Sequence, residues 1–424
     1  MAQVRIGPRV ELRVEPPVRA VLVDLVVVTV ASMLFGSAIG LITNALDRRI
    51  RQHAPRAVGA ALFALAAAAA FFPFWLNWQV RASFMVFFAT ASHGVLIFFK
   101  TVEVLCGTLP AGLDRSLRAW VVYFACDAEM KFAAVERAGA GAREEENDAA
   151  SSQAKHRRHA PGPLPSPPLL RVLPELCVRV AGFMALQSAL LHVGALCDWR
   201  PFRPRLGAVG SVLDVYFWAT LLWACAEWVT ALARIALHLC GFDSIAAFRL
   251  PLFRSTSPRE FWSKRWNLII HKLMHRTYFA PVARATGSPT LGALSAFVAS
   301  ALFHEYMWAV AVHPLAKDGM VIGEVTLFFC AQFALCSLEL LAAAMLPKPF
   351  VARVSQLPRA VKVACTALLI CSFGEFFCGN LLRAGMFSSM QDMHAHVTIT
   401  IDGRNWSAPL VAGGWSGFPL AKLG

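Results

Sequence analysis

The chain has 424 residues, of which 57% are hydrophobic and 16% are charged, and its formal net charge is +14. Soluble proteins contain about 45–50% apolar residues, so this composition excludes an ordinary soluble protein and favours an integral membrane protein. The basic residues lie in loops between apolar segments and not along a soluble module, so we expect no nucleic acid as a partner. Apolar runs recur from Val18 to Leu382 with one long polar interruption, which predicts a single membrane domain covering residues 1–424.

Apolar runs of about 20 residues are long enough to cross a bilayer as α-helices. The runs of this length lie at residues 20–45, 57–77, 83–105, 175–197, 212–240, 289–313, 320–346 and 360–382. The predicted fold is therefore an all-α polytopic membrane protein with about eight transmembrane helices. A further aromatic stretch, Leu117 to Phe132, carries several charged residues and predicts an interfacial or re-entrant piece instead of a ninth span.

The polar interruption lies at residues 137–168, where the composition shifts to Ala, Gly, Glu, Arg, Ser and Pro. Such a segment cannot bury enough apolar surface to order itself, so a disordered loop is predicted there. Lys and Arg are more frequent on the side of the membrane that holds residues 249–284, which predicts that this side is cytosolic. The termini then lie on the opposite side, where the sequon at Asn405 is open to glycosylation. We expect an endoplasmic reticulum membrane.

A basic and aromatic block, FWSKRWN at residues 261–267, precedes one of these spans. Placed on a helix, Trp262 and Trp266 share one face while Lys264 and Asn267 lie on another, which predicts an amphipathic helix at the membrane surface. An anchor helix alone explains this pattern. A second interpretation adds that the cations of the block meet the phosphates of an anionic cosubstrate arriving from the cytosol. Those cations are Lys264, Arg265, Lys272 and Arg276. No metal site is predicted, because His271 and His275 have no carboxylate or Cys nearby.

The span that follows Pro289 contains His304 and Glu305, about 22 Å along a helix of 1.5 Å rise per residue. A charge near the bilayer centre costs roughly 2.5 to 3.5 kcal/mol on the mildest scale, so ionisable residues in a span mark a functional site by default. A histidine bonded to a neighbouring helix for structural reasons is the simpler alternative. HEYMW differs from the zinc-protease HExxH motif because Trp308 occupies the position of the second ligand.

Three segments of the chain resemble the wax synthase-like branch of the membrane-bound O-acyltransferase family. They are FWSKRWN, TYFAPV at residues 277–282 and LFHEYMW at residues 302–308, and HGVLIFFK at residues 93–100 is weakly similar. The resemblance implies a helical fold around an intramembrane reaction chamber, with His304 and Asn267 as catalytic residues. It further implies a substrate-binding set of Trp262, Lys264, Arg265, Trp266 and Glu305. Lys264 replaces the arginine of the family pattern and cannot form a bidentate fork with phosphate.

The activity implied by the resemblance is acyl-CoA:alcohol O-acyl transfer, with acyl-CoA as cosubstrate and no cofactor. An acyl thioester is already activated, so the enzyme mainly has to align it with a lipidic alcohol and remove the hydroxyl proton. We expect His304 to act as general base in a direct transfer, because neither motif offers an obvious covalent nucleophile. Wax esters are the first expected product. Diacylglycerol, a sterol or a terpenoid alcohol remains open as the acceptor. We also expect the protein to contact membrane lipid.

Two alternatives from other classes stay open on the sequence. A transporter would line a path with the acidic residues of its spans. Those residues are Asp24, Glu227, Glu305, Glu339 and Glu375. No inverted repeat is visible, which weighs against this interpretation. A catalytically inactive lipid-binding relative is the other alternative. The sequence does not predict an oligomeric state.

Overall fold

The structure is a computed structural model, and it describes most of the chain. The described residues are 2–7, 10–15, 19–50, 53–80, 83–133, 162–196, 207–312, 314, 320–384, 386, 396–401 and 404–409. Residues 137–161 of the predicted disordered loop lie outside this set. The described part is predominantly helical, as the apolar runs predict.

The first half of the fold consists of three long helices and one short helix. They are α1 (Arg19–Ala45), α2 (Pro55–Asn77), α3 (Phe84–Cys106) and α4 (Leu117–Ala125). The first three are long and apolar enough to cross a membrane. Helix α4 has only 9 residues, so it is not a ninth span. Its side chains Trp120, Tyr123 and Phe124 are almost completely buried, which makes it a packed element and not a surface anchor.

Close helix approaches in this half depend on small residues. A Cβ atom added to Gly94 of α3 would lie 2.3 Å from Cγ of Pro73 in α2, so only glycine fits at this crossing. A Cβ added to Gly36 of α1 would lie 2.5 Å from the carbonyl oxygen of Phe124 in α4. Because both contacts need a bare Cα, α1 to α4 form one tightly packed unit.

Helices α5 (Leu169–Leu196) and α6 (Ala208–Leu239) pack along each other. The segment before α5 is ordered, because the backbone N–H of Leu164 donates to the carbonyl of Lys131 and that of Asp243 donates to the carbonyl of Leu164. The prediction of a disordered loop over residues 137–168 is therefore wrong at its C-terminal end. The composition of residues 162–166 does not favour an ordered structure. Their backbone is ordered because it pairs with the segments around Lys131 and Asp243.

The basic block does not form the amphipathic helix that its periodicity predicts. A π-helical turn at Phe261–Arg265 ends at Trp266, whose backbone is extended (φ −93°, ψ 127°). Asn267 then adopts the left-handed conformation (φ 37°), which asparagine tolerates better than most residues. Helix α7 (Leu268–Met274) begins only after this break, so the motif lies on a structured loop and Trp262 and Asn267 belong to separate elements.

A second π-helical turn, His275–Phe279, joins α7 to α8 (Ala280–Thr286). Gly287 ends α8 in the left-handed conformation (φ 67°), and the hydroxyl of Ser288 accepts a hydrogen bond from the backbone N–H of Leu291. This N-cap, together with Pro289 at the first helical position, starts the next helix at the residue predicted from the sequence.

The helices of the last part are α9 (Pro289–Ala311), α10 (Glu324–Met345), α11 (Lys348–Gln356), α12 (Arg359–Cys371) and α13 (Glu375–Arg383). The predicted continuous span at 360–382 is wrong, because a turn at residues 372–374 separates α12 from α13. Helices α11 and α12 form a bent pair with an angle of 102°. Six described helices are long and apolar enough to cross a membrane, or seven if the bent pair is one span, so the count of eight stays a prediction.

The two termini form a small antiparallel sheet that the all-α prediction did not include. Its strands are β1 (Ala2–Gly7), β2 (Val10–Glu15), β3 (His396–Ile401) and β4 (Arg404–Pro409), in the order β1-β2-β3-β4. Strands β2 and β3 pair over six residues, so these two distant segments of the chain lie side by side. The predicted side of the membrane for both segments stays a prediction.

Candidate active site

His304 lies on α9 in a cluster of aromatic rings contributed by three helices. Its ring centroid is 4.6 Å from that of Phe329 in α10, 5.4 Å from Phe377 in α13 and 5.8 Å from Trp308 in α9. Phe303 completes the cluster at 4.4 Å. These apolar rings surround the imidazole and keep its environment poor in water, and the residue as a whole is half-buried.

The hydrogen bond of the ring determines its tautomer. Nδ1 of His304 lies 2.7 Å from the backbone carbonyl oxygen of Ser300, which can only accept, so Nδ1 carries the proton. Nε2 of the neutral ring then has a free lone pair. Among the described residues it has no hydrogen-bond partner, so it is the atom able to take a proton from a hydroxyl group.

Glu305 joins α9 to the start of α10. Its Oε1 accepts hydrogen bonds from the backbone N–H groups of Gly323 and Thr326 and from the Thr326 hydroxyl, each at 3.0 Å. A carboxylate at a helix N-terminus satisfies free N–H groups and interacts favourably with the helix dipole. The other carboxylate oxygen, Oε2, is buried and has no hydrogen-bond partner among the described residues. The contact of Glu305 with substrate stays a prediction, and Oε2 is the atom that could make it.

The motif loop is connected to the aromatic cluster through Trp262. Its indole Nε1 donates a hydrogen bond to Oε1 of the fully buried Gln332 at 3.2 Å. The Trp262 ring lies 5.9 Å from that of Phe329, and the Phe329 ring lies 4.6 Å from that of His304. The structure therefore joins the two motifs through one shared aromatic ring.

The other tryptophan of the motif, Trp266, packs against neighbouring aromatic rings and stabilises the loop. Trp266 stacks on Phe261 with a centroid distance of 5.3 Å and packs edge-on against Phe248. Its backbone N–H donates to the carbonyl of Phe261, and the backbone N–H of Leu268 donates to the carbonyl of Ala247 at 2.7 Å. These contacts hold the loop in the conformation that places the half-buried Asn267 at the start of α7.

Asn267 uses half of its amide group for structure. Its Oδ1 accepts a hydrogen bond from the backbone N–H of Ile270 at 3.3 Å and caps α7. Since the amide oxygen is engaged, the Nδ2 group is the part of this half-buried side chain that remains able to donate a hydrogen bond to a reactant. The catalytic role of Asn267 stays a prediction. If Asn267 has this role, its Nδ2 group is the donor.

A clasp between Arg265 and Glu260 fixes the basic end of the loop. Nε and Nη2 of Arg265 donate to Oε1 of Glu260 at 2.8 and 2.6 Å, and Thr256 donates to Oε2 of the same carboxylate. Burial opposes the charge of Glu260, but the hydrogen bonds from Thr256 and Arg265 outweigh it and lower the pKa of the carboxyl to about 2. Arg265 is thus neutralised within the loop.

The prediction that four cations meet a phosphate is wrong for Arg276. Its guanidinium lies 2.6 Å from Oε1 of Glu103 and 2.7 Å from Oε1 of Glu129, and it also donates to the hydroxyl of Tyr123. These partners are largely buried, so the group is occupied inside the protein. Lys264 is exposed, whereas Arg265, Lys272 and Arg276 are half-buried, so Lys264 is the cation of this set that is open to solvent.

The segment at residues 93–100 belongs to the same buried polar region. Nζ of Lys100 donates hydrogen bonds of 2.6 Å to the backbone carbonyls of Tyr123 and Cys126, which end α4. The sequence analysis missed this region. Lys100 and Glu103 inside an apolar run were the signal that could have found it, because intramembrane charges need partners.

His271 and His275 have ring centroids 6.3 Å apart, and His275 stacks on Phe279. Burial and adjacent cationic groups lower the pKa of both imidazoles, so both are neutral near pH 7. Among the described residues no group of three or more His, Cys, Asp or Glu side chains has the arrangement of a metal site.

Three of the five acidic residues that a transporter would need in a path make separate contacts. Glu227 lies 3.6 Å from Arg179, Glu305 caps α10, and Oε2 of Glu339 accepts the backbone N–H of Arg259. Their partners lie on different elements, which weighs against a continuous polar path.

Two cavities in the described part of the chain are relevant to the site, and one of them touches the motif loop. One of about 650 Å³ lies between α6 and α12 beside Tyr216, and one of about 1000 Å³ lies between α5 and the loop beside Arg265. His304 lines neither of them. The predicted reaction chamber around His304 therefore stays a prediction.

Comparison with known proteins agrees with the motifs. Residues 247–331, which contain both the loop and His304, match the Membrane bound O-acyl transferase family. The chain is 31% identical over 158 residues to a probable long-chain-alcohol O-fatty-acyltransferase 2 from Arabidopsis thaliana, covering 34% of this chain and 41% of the relative. It is 30% identical over 166 residues to the long-chain-alcohol O-fatty-acyltransferase from Simmondsia chinensis, covering 37% and 44%.

A relative with a different acceptor is also similar. Diacylglycerol O-acyltransferase 1 from Arabidopsis thaliana is 32% identical over 101 residues, covering 24% of this chain and 18% of the relative. The matched part thus spans less than half of the length of each of these relatives.

Proposed function

We propose that this chain, whose residues 247–331 match the membrane-bound O-acyltransferase family, is an O-acyltransferase of that family and esterifies a lipidic alcohol. The donor is acyl-CoA and the preferred acceptor is a long-chain alcohol, so the product is a wax ester. The observation that carries this proposal is the His304 ring, with Nδ1 bonded to a carbonyl and Nε2 free within an aromatic cluster.

The reaction moves one proton from the alcohol to the leaving thiolate in two transfers through His304, and it exchanges sulfur for oxygen at the carbonyl carbon. Nε2 of His304 takes the hydroxyl proton as the alcohol oxygen attacks the thioester carbonyl carbon. The C–S bond then breaks, the new C–O bond remains, and the protonated imidazole returns the proton to the leaving thiolate. Ser300 keeps Nδ1 bonded throughout, so the ring does not rotate between the two steps.

A direct transfer fits the groups around His304. Its ring neighbours are Phe303, Trp308, Phe329 and Phe377, which offer no nucleophile for a covalent acyl-enzyme. In the motif loop, the hydroxyl of Ser263 donates to the backbone carbonyl of Arg259 at 2.6 Å and is thereby occupied. Both substrates then have to be bound together, which the aromatic surroundings favour by keeping water from the thioester.

The Nδ2 group of Asn267 serves as a hydrogen-bond donor that orients one reactant. Lys264, which is exposed beside it in the loop, attracts the phosphates of the donor from the cytosol. Trp262 and Trp266 keep the loop in place, and Glu305 keeps α9 attached to α10. The endoplasmic reticulum membrane is the proposed location, because both substrates are lipidic.

The experiment supplies microsomes and purified protein with labelled acyl-CoA and a panel of acceptors: long-chain alcohols, diacylglycerol, a sterol and a terpenoid alcohol. We expect ester from the long-chain alcohols. His304→Ala should lower turnover by about 10²–10⁴-fold, since a positioned general base contributes that much. The matched control is His275→Ala, which removes an imidazole that stacks on Phe279, outside the aromatic cluster of His304, and should leave turnover unchanged.

Protein level and thermal unfolding are measured for both variants, so that loss of folding is not mistaken for loss of catalysis. Full turnover in His304→Ala would reject the assignment of the base. Ester formed only from diacylglycerol or a sterol would retain the acyl transfer and reject the long-chain alcohol as acceptor. An absence of ester from every acceptor would reject the proposed activity itself.

A further inference from the structure

The cavity of about 1000 Å³ beside the motif loop has a mixed lining that the acyl-transfer reaction does not use. One wall is formed by apolar residues of α5, among them Val178, Phe183 and Leu186. The opposite wall is the segment at residues 246–250 together with Arg254 and Arg265. The volume is large enough for part of a lipid molecule, since small-molecule pockets range from about 300 to 1,000 Å³.

The charges at the rim of this cavity are not balanced. Two carboxylates of the lining, Glu175 and Glu227, lie 3.7 and 3.6 Å from Arg179, and Arg265 is paired with Glu260 outside the lining. Arg249 and Arg254 are both exposed, and among the described residues neither side chain has an acidic partner. Two arginines with free guanidinium groups therefore face solvent at the edge of an apolar cavity, which suits a phosphate attached to an acyl chain.

The apolar wall is open on its outer side. Val178 is 72% exposed, and Leu170, eight residues earlier on the same helix, is 92% exposed. The span predicted at residues 175–197 includes Val178 and places its side chain against lipid chains. An acyl chain can thus enter the cavity sideways from the bilayer while its headgroup stays at the arginines.

We propose that this cavity binds an anionic phospholipid, with the phosphate on Arg249 and Arg254 and one acyl chain along α5. The acyl donor also carries phosphates on a lipidic tail, but its thioester must reach His304, which does not line this cavity. Arg249 and Arg254 lie on the side predicted to be cytosolic, where the membrane leaflet carries more negative charge. Each Lys or Arg near that surface strengthens the binding of an anionic lipid about fivefold.

The bound lipid acts on the motif loop through Arg249. The backbone N–H of Arg249 donates to the carbonyl of Arg265 at 3.0 Å, and Nη1 of Arg265 donates back to the carbonyl of Arg249 at 3.1 Å. Because this reciprocal pair joins the cavity rim to the loop, occupancy of the cavity holds the loop in the conformation that presents Asn267. This last step rests on the proposed function, whereas lipid binding does not.

The test uses the full chain in nanodiscs and measures retained phosphatidylserine by native mass spectrometry, against a phosphatidylcholine background. Arg249→Gln with Arg254→Gln should weaken retention by about 25-fold, as two arginines at about fivefold each. The matched control is Lys348→Gln with Arg353→Gln, which removes two basic residues of α11 on the side predicted to be the same. This control should retain the lipid like the unaltered chain.

A second variant fills the cavity without touching a charge. Gly182 lines the cavity, and a Cβ atom added there meets nothing within 4 Å, so Gly182→Leu places a side chain in open space. Leucine also favours helix more than glycine does, so folding is maintained. We expect this variant to lose phosphatidylserine although both arginines remain.

Equal loss in the α11 control would assign the effect to general surface charge and overturn the proposal. Normal phosphatidylserine retention combined with a raised dissociation constant for acyl-CoA in the arginine variant would assign the cavity to the donor, and would equally overturn it. Activity is assayed separately with and without phosphatidylserine. Lipid binding in a chain that forms no ester would reject only the proposed function.

Discussion

Trp262 of the motif loop donates its indole N–H to Oε1 of Gln332, and the other end of the Gln332 amide donates to the backbone carbonyl of Ile370. Gln332 is completely buried, so it connects the loop, α10 and α12 with no help from solvent. A buried amide that joins three elements determines where the loop lies relative to the helix that carries Phe329.

Gln332→Leu should therefore destabilise the protein by about 1–3 kcal/mol, because it leaves a buried N–H and a buried carbonyl unpaired. Trp262→Phe tests the same bond from the other side, and a double-mutant cycle isolates the pair. The free energies come from thermal unfolding in detergent. Strictly additive losses would show that the bond does not couple the loop to α10.

Removal of Arg276 should be more severe. Its guanidinium pairs with Glu103 and Glu129, so Arg276→Met leaves two carboxylates together without a cation. Breaking one partner out of a buried ion pair costs about 3–5 kcal/mol. Arg284→Met is the control, since Arg284 is exposed and donates to the backbone carbonyl of Ala280 within its own helix. Similar unfolding temperatures for the two variants would contradict a stabilising role of the buried network.

The clasp between Arg265 and Glu260 predicts a defined pH dependence. The pKa of Glu260 is lowered to about 2 from 4.5, so the folded state binds the proton more weakly than the unfolded state. The contribution of the ionised carboxylate is complete above pH 4.5 and is lost as the pH falls through 2. The unfolding free energies of the unaltered chain and of Glu260→Gln, measured from pH 2 to 7, should converge only at the acidic end. A constant difference over this whole range would contradict the lowered pKa.

Two substitutions of Glu305 separate its structural contact from a contact with substrate. Glu305→Leu removes the acceptor for the N–H groups of Gly323 and Thr326 and should cost about 0.5–2 kcal/mol, as for a lost helix cap. Glu305→Gln keeps an acceptor oxygen and should cost about 0.3–1 kcal/mol, the helix-dipole contribution of the charge. Stability and ester formation are measured together. A stable Glu305→Gln protein with strongly reduced turnover would assign Oε2 to the substrate, as the sequence resemblance implies.

Features of the site that depend on residues close together in the sequence could be predicted, whereas contacts between distant residues could not. The polar His304 within an apolar run and the break at Gly287 were visible in the sequence, and the structure shows the helix start there. The partners of the charged groups were not visible. Arg276 pairs with residues 147 and 173 positions away, and no local pattern indicates such a distance.

The prediction of a helix over the motif loop was wrong because tertiary contacts override the helical spacing of its residues. The spacing of Trp262 and Trp266 fits a helix, yet the backbone becomes extended at Trp266 and left-handed at Asn267. Contacts with Phe248 and Ala247 compensate for the interrupted helical hydrogen bonds, and these contacts exist only in the folded chain. Helical periodicity describes which faces are apolar, but a nearby element decides whether a loop conformation is more stable.

The amino-acid sequence alone determined that this is a membrane protein built from long apolar helices, because a run of hydrophobic residues has one stable conformation in lipid. It also determined the order of the two motifs and the residue His304. Only the tertiary structure decided that Arg276 is locked in an ion-pair network, that Glu305 caps α10, and that the termini pair in a sheet. The physical reason is that hydrophobicity acts on each segment separately, whereas a buried charge, a free helix end or an unpaired strand is satisfied by whichever distant group the fold brings near.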